Sequence, residues 1–150
     1  MKTIILSLIF LATVGCSDSN DESTFTPQEI TPVLIAKGHL SYNSIYNQQN
    51  TIIATAAEWQ TLLENFNTIN TNITETFVTT EIDFNSFDII LAIQTRNSTT
   101  TVDFSTIVEN ADSIIVTVEN LQLGISQDVA HPFHIVKIPK SAKPIIFQTN

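Results

Sequence analysis

The sequence predicts an α+β fold: a mainly antiparallel β-sheet or meander with one amphipathic helix, about residues 55–67, packed on it. Three stretches carry that prediction. Thr55-Ala56-Ala57-Glu58 has the form of a helix capping box and is followed by apolar side chains at helical spacing. Phe87–Thr95 is a near-continuous apolar run, and Ser113–Leu123 alternates with the period of a half-buried strand.

Taken in order, the chain opens with Lys2 and the almost wholly apolar Thr3–Phe10. That run is well short of the ~20 residues a membrane-spanning helix needs, so it reads as a secretory leader. Leu11-Ala12-Thr13-Val14-Gly15-Cys16 follows, then Ser17-Asp18-Ser19-Asn20-Asp21-Glu22. Small residues before the single cysteine resemble the lipobox of bacterial lipoproteins, with Thr13 standing where that box usually has Leu. The acidic run after it resembles the export tags of surface lipoproteins in Bacteroidetes-type bacteria. The resemblance implies that Cys16 is lipidated and becomes the first mature residue. Each acyl methylene contributes about 0.8 kcal/mol of membrane attachment, so more than one chain is needed for a stable anchor. The expected organisation is a leader over 1–15, a flexible acidic tether over 16–32 and a single β-rich domain over 33–150. The tether expectation rests on its acidic, Ser/Thr-rich composition and on Pro27 and Pro32.

Within the domain, Val33–Leu40 is the first strand candidate. Ser41–Asn50 is turn-like, with Tyr42, Ile45 and Tyr46 able to let part of it pair as a second strand or hairpin arm, and Thr51–Ala54 is a short strand or the lead-in to the helix. Trp59, Leu62, Leu63 and Phe66 share one helical face and are expected in the core, each worth roughly 1.5–3 kcal/mol gross when buried. Asn67–Thr80 reads as a connection. The run at Phe87–Thr95 suits a strand buried on both faces, or a central one with a helix laid across it. Arg96-Asn97-Ser98 makes a turn. Strands follow at Thr100–Val108, Ser113–Leu123, Phe133–Ile138 and Pro144–Phe147, the last with proline at its start as an edge position permits.

Several of these segments together resemble the C-terminal domain of the PrcB protease-complex subunit family. They are Glu58–Leu63, Ile82-Asp83-Phe84, Asp88–Ala92, Ile114–Glu119 and above all His131-Pro132-Phe133-His134-Ile135-Val136-Lys137-Ile138-Pro139-Lys140. The resemblance spans roughly residues 51 to 148 and consists mostly of hydrophobic spacing. Where that family often has a Gly-rich turn, this chain has Arg96-Asn97-Ser98-Thr99-Thr100-Thr101, without glycine. The resemblance implies an exported, often lipid-anchored, non-catalytic protein that in some members associates with a cell-surface protease.

The chemistry of the remaining residues points the same way. The net charge of −9 becomes −10 once Lys2 is removed, which argues against nucleic acid as a partner. Cys16 is the only cysteine, so a disulfide, an Fe–S cluster and a Cys-ligated zinc site are all unavailable within one chain. Gly38 and Gly124 are the only glycines after the leader, too few for a phosphate-cradling loop. His131 and His134 with Asp128 form the one conceivable metal cluster, but three-residue spacing across Pro132 suits neither strand nor helix geometry. We therefore expect no metal, no cofactor and no enzyme. Lys137, Lys140 and Lys143 form the one basic cluster and read as solubility devices at an edge strand.

The functional expectation is a lipoprotein of the outer membrane or cell surface, held to the membrane through Cys16. Its domain is expected to act as a protein-interaction module, with a surface protease or another protein as partner and an accessory or inhibitory role towards a protease. The candidate interaction loop is Arg96, Asn97 and Thr99. The alternative is a glycan- or peptide-ligand-binding module for nutrient uptake, for which Tyr42 and Tyr46 are the available aromatics.

Overall fold

The computed structural model describes residues 25–42, 44–96, 100–122 and 129–149. The expected leader and Cys16 lie outside them, as do Asn97, Thr99 and Asp128. Among the described residues eight strands form two four-stranded sheets, and one α-helix packs on one of them. The strands are β1 (Gln28–Glu29), β2 (Val33–Leu40), β3 (Gln49–Ile53), β4 (Phe87–Ile93), β5 (Thr100–Glu109), β6 (Ile114–Gln122), β7 (His131–Pro139) and β8 (Ile145–Thr149). The helix α1 is Ala56–Ile69, followed by a single 3-10 turn at Ile73–Thr76. Among the described residues no helix is long and apolar enough to cross a membrane.

The layers run α1, then the sheet β2-β7-β4-β3, then the sheet β1-β5-β6-β8. The middle sheet is covered on both faces, which is why β4 reads as a continuous apolar run. Its Ile89, Leu91 and Ile93 join Trp59, Leu62, Leu63 and Phe66 beneath the helix. Its Ile90 and Ala92 join Val102, Ile107, Ile114, Val116 and Val118 of the outer sheet. β7 divides in the same way, with Phe133 and Ile135 towards the helix and Val136 and Ile138 towards the outer sheet. Side chains alternate across a strand, so two cores share one backbone layer.

Helix α1 starts as its capping box dictates. Thr55 Oγ1 accepts from the Glu58 backbone N–H at 3.3 Å, and Glu58 Oε2 accepts from the Thr55 N–H at 3.1 Å. It runs two residues beyond the expected end. Ile69 packs against the core, and the Asn67 side chain makes hydrogen bonds with Thr74, holding the last turn to the 3-10 turn. Residues 41, 42 and 44–48 lie in turns, bends and irregular backbone instead of a hairpin arm.

All pairings in the middle sheet are antiparallel, as are β1–β5 and β5–β6. β6 and β8 pair in parallel. This follows from the path of the chain, which leaves the outer sheet after β6, crosses through β7 in the middle sheet and returns. Two corrections to the sequence reading follow. The folded part begins before residue 33: Gln28 and Glu29 pair with Glu109 and Val108, and the Ile30 N–H donates to the Ile107 C=O at 2.8 Å. Ile30 is drawn in because it packs on the inter-sheet core. Also, Lys137 lies on β7, an interior strand of the middle sheet, so it does not guard an edge.

Candidate functional site

Of the four outermost strands, β3 is the least defended. β2 carries a bulge between Leu34 and Ala36, has the charged Lys37, and its Ile35 C=O accepts from the Val78 N–H at 2.8 Å. β1 is two residues long. β8 follows Lys143 and Pro144. β3, Gln-Asn-Thr-Ile-Ile, has no charge and no proline, and pairs with β4 in unbroken register from Gln49↔Ile93 to Ile53↔Ile89. Charges, prolines and bulges are the usual means by which an edge strand is kept from pairing with another chain, and β3 has none of them.

Beside that edge, under α1, lies an open groove of about 310 Å³. Gln49, Thr51 and Ile53 of β3 line one wall, and Glu58, Thr61, Leu62 and Asn65 of α1 line the other, with Leu91 and Tyr46 also contributing. Glu58 and Asn65 are seven residues apart, which is about 10 Å along a helix. Ile52 is on the same edge and 37% exposed. Tyr46 is set edge-on to Phe66, with ring centroids 5.7 Å apart at 66°. Tyr42, 79% exposed, does not line the groove.

Charges mark the two ends of β3. At the Ile53 end, Glu58 Oε2 accepts from the N–H groups of Ala54 and Thr55, both at 3.1 Å, and from the Thr55 hydroxyl at 2.8 Å. The Thr55 hydroxyl and then the Ala54 N–H hold the Glu58 carboxyl below its usual range. Lys140 is at the same end, 3.5 Å from the Ala54 C=O, but Asp88 takes its charge at 3.1 Å. At the Gln49 end, Arg96 Nη1 donates to Gln48 Oε1 at 3.2 Å. The Arg96 backbone bridges to Ala130 through two hydrogen bonds of 3.0 and 2.8 Å. The one described member of the candidate loop is therefore tied to the residue that leads into β3.

Elsewhere, polar side chains are spent on holding the sheets together. Lys37 on β2 pairs with Asp103 on β5, and His39 Nε2 lies 2.7 Å from the Thr100 C=O. A second crevice of about 300 Å³ opens between these strands, lined by the same Lys37, Gly38 and His39. His131 and His134 lie on opposite faces of β7: the first is 3.3 Å from the Thr95 hydroxyl, the second 3.2 Å from Asp103 Oδ1. They cannot converge on one ion. Lys137 sits 4.6 Å above the Phe87 ring, and Lys143 pairs with Glu109 at 2.7 Å.

The groove was not foreseen from the residues. Its signal is a short uncharged strand just before a capping box, with the polar Gln49 and Thr51 on the same face as Ile53. In comparison with known proteins, no family model, curated protein or solved structure matches this chain.

Proposed function

We propose that the chain is a non-catalytic lipoprotein, anchored through Cys16 at the outer membrane or cell surface, whose β domain is a protein-interaction module. Its partner contributes an extended segment that adds to β3 and lies in the groove beside α1. The observation that carries this reading is the pairing of an undefended edge strand with a groove whose walls include Ile53, Leu62 and Leu91. Main-chain hydrogen bonds supply affinity in such strand addition, and the groove selects alternate side chains. The PrcB-like pattern makes a cell-surface protease the partner to look for first, with this chain as its accessory or inhibitory subunit.

The test is a cross-linked pull-down of the full-length lipoprotein from its native membranes, comparing wild type with Ile52→Lys. A lysine on the edge opposes strand addition while Ile52 is already exposed enough to tolerate it. A partner captured by wild type and lost in Ile52→Lys supports the reading; a partner captured equally by both removes β3 from it.

The second reading is glycan or peptide-ligand binding, favoured by Tyr46 in the groove wall and the exposed ring of Tyr42. Glycan binding that disappears in a Tyr42→Ala, Tyr46→Ala double variant would favour it over the first.

A further inference from the structure

The proposed strand addition leaves open what kind of segment the groove accepts, and the charges at the ends of β3 bear on this. Glu58 reaches the Ala54 N–H and Arg96 reaches the Gln48 side chain, so an acid and a base flank the seven residues 48–54. At about 3.3 Å per residue they stand some 20 Å apart along the strand. Resting on the strand-addition reading, we infer that β3 accepts an antiparallel segment with a basic residue where it passes Glu58 and an acidic residue about six positions later, where it passes Arg96.

Antiparallel pairing follows from the sheet itself, in which every existing pair is antiparallel and such pairs are the more stable kind. The segment's N-terminal end then lies at Ile53 and its C-terminal end at Gln49. Between the charges, every second side chain faces the groove, where Ile53 and Leu62 favour small apolar groups such as Val. Among the described residues no lysine or arginine lines the groove, so none there competes with the incoming basic residue for Glu58. A second copy of this chain suits the edge less well. In an antiparallel pair the second copy would bring its own Arg96 to Glu58, but each copy has a net charge of −9, so two copies repel one another.

The experiment uses the full chain in detergent and two fluorescein-labelled peptides capped at both ends. One is Lys-Thr-Val-Thr-Val-Thr-Glu and the other Glu-Thr-Val-Thr-Val-Thr-Lys, identical in composition and net charge. Anisotropy titrations at low salt should show the first binding roughly fivefold tighter, the scale expected of two exposed ion pairs. The preference should collapse in 1 M salt, and in the Glu58→Gln, Arg96→Gln double variant. Gln at position 58 still satisfies the capping box, so loss of the helix does not confuse the result. Equal binding of both peptides, or a preference for the second, overturns the charge order while leaving strand addition standing. Binding of neither peptide overturns the inference. If Ile52→Lys also leaves native partner capture unchanged, the strand-addition reading falls with it. A doubled mass in light scattering that is lost in Ile52→Lys assigns the edge to a second copy and overturns the inference as well.

Discussion

Lys37 Nζ on β2 donates to both carboxylate oxygens of Asp103 on β5, at 2.5 and 2.6 Å, and so ties the middle sheet to the outer one. The pair is partly exposed, so its own contribution is about 1 kcal/mol or less. Its removal costs more than that, because Asp103 also stands 3.2 Å from the buried His134 ring, which stacks 4.9 Å from Phe104. We expect Asp103→Ala to destabilise the fold by roughly 1–2 kcal/mol. Lys37→Met, which keeps the apolar stem, should cost less. Urea midpoints of the two variants check the order; Lys37→Met as damaging as Asp103→Ala would contradict it.

Acid should weaken the fold in two stages. Burial pushes the His134 imidazole below its ordinary value of 6.5, Asp103 pulls it back up and Lys37 lowers it again, leaving a net depression. The unfolded chain therefore takes up this proton first, and stability falls as pH drops from about 6.5 towards the lower folded value. Glu58 and Asp83 are carboxylates held below their usual range, Glu58 chiefly by the Thr55 hydroxyl and Asp83 by the Ser86 hydroxyl. Their contribution is present above pH ~4.5 and is lost as pH falls through the folded values. Urea midpoints taken from pH 8 to pH 5 should decline in wild type and flatten in His134→Phe. An unchanged slope in that variant would assign the decline to another group.

What could be read from the residues, and what could not, divides along a physical line. The helix was legible because its capping box is local and Trp59, Leu62, Leu63 and Phe66 all face one buried surface. β4 was legible as doubly covered, since a strand between two layers has no polar face. Alternation states which face of a strand is buried but not which strand lies beside it. The parallel β6–β8 pair, the capture of Gln28 and Glu29 by β5 and the interior place of Lys137 were therefore hidden. The groove was hidden for the same reason: it exists because β3 lies at the end of the sheet order. Arg96 was recognisable as a loop residue, whereas its bond to Gln48 joins positions far apart in the chain.

Thr55 and Glu58 serve α1 reciprocally, and the two substitutions should differ. Thr55→Ala leaves the Glu58 N–H without its acceptor and should lower stability by about 1 kcal/mol. Glu58→Gln keeps an acceptor for the Ala54 and Thr55 N–H groups and should cost less. Thermal melts followed by far-ultraviolet dichroism and by Trp59 emission test both. Trp59 is buried with its indole N–H donating to the Thr80 C=O at 2.8 Å, so its folded emission should be blue of a solvent-exposed indole. Equal melting temperatures for Thr55→Ala and wild type would remove the cap from the account of helix stability.

Gly38 is needed for contact rather than for a turn. A Cβ added there would lie 3.2 Å from Cε1 and Cζ of Phe133, closer than ordinary van der Waals contact. Phe133 has little room to yield: its ring centroid is 5.1 Å from that of Phe66 and 6.3 Å from that of Phe77, beneath α1. Gly38→Ala should therefore cost about 1–2 kcal/mol by overpacking, although alanine otherwise suits a strand better than glycine. Pairing it with Phe133→Leu separates the two effects. The smaller side chain should destabilise on its own by leaving a cavity, and Gly38→Ala should be harmless or favourable in that background. A double-mutant cycle on urea midpoints measures this coupling, and strict additivity of the two substitutions would show that Gly38 and Phe133 do not constrain each other.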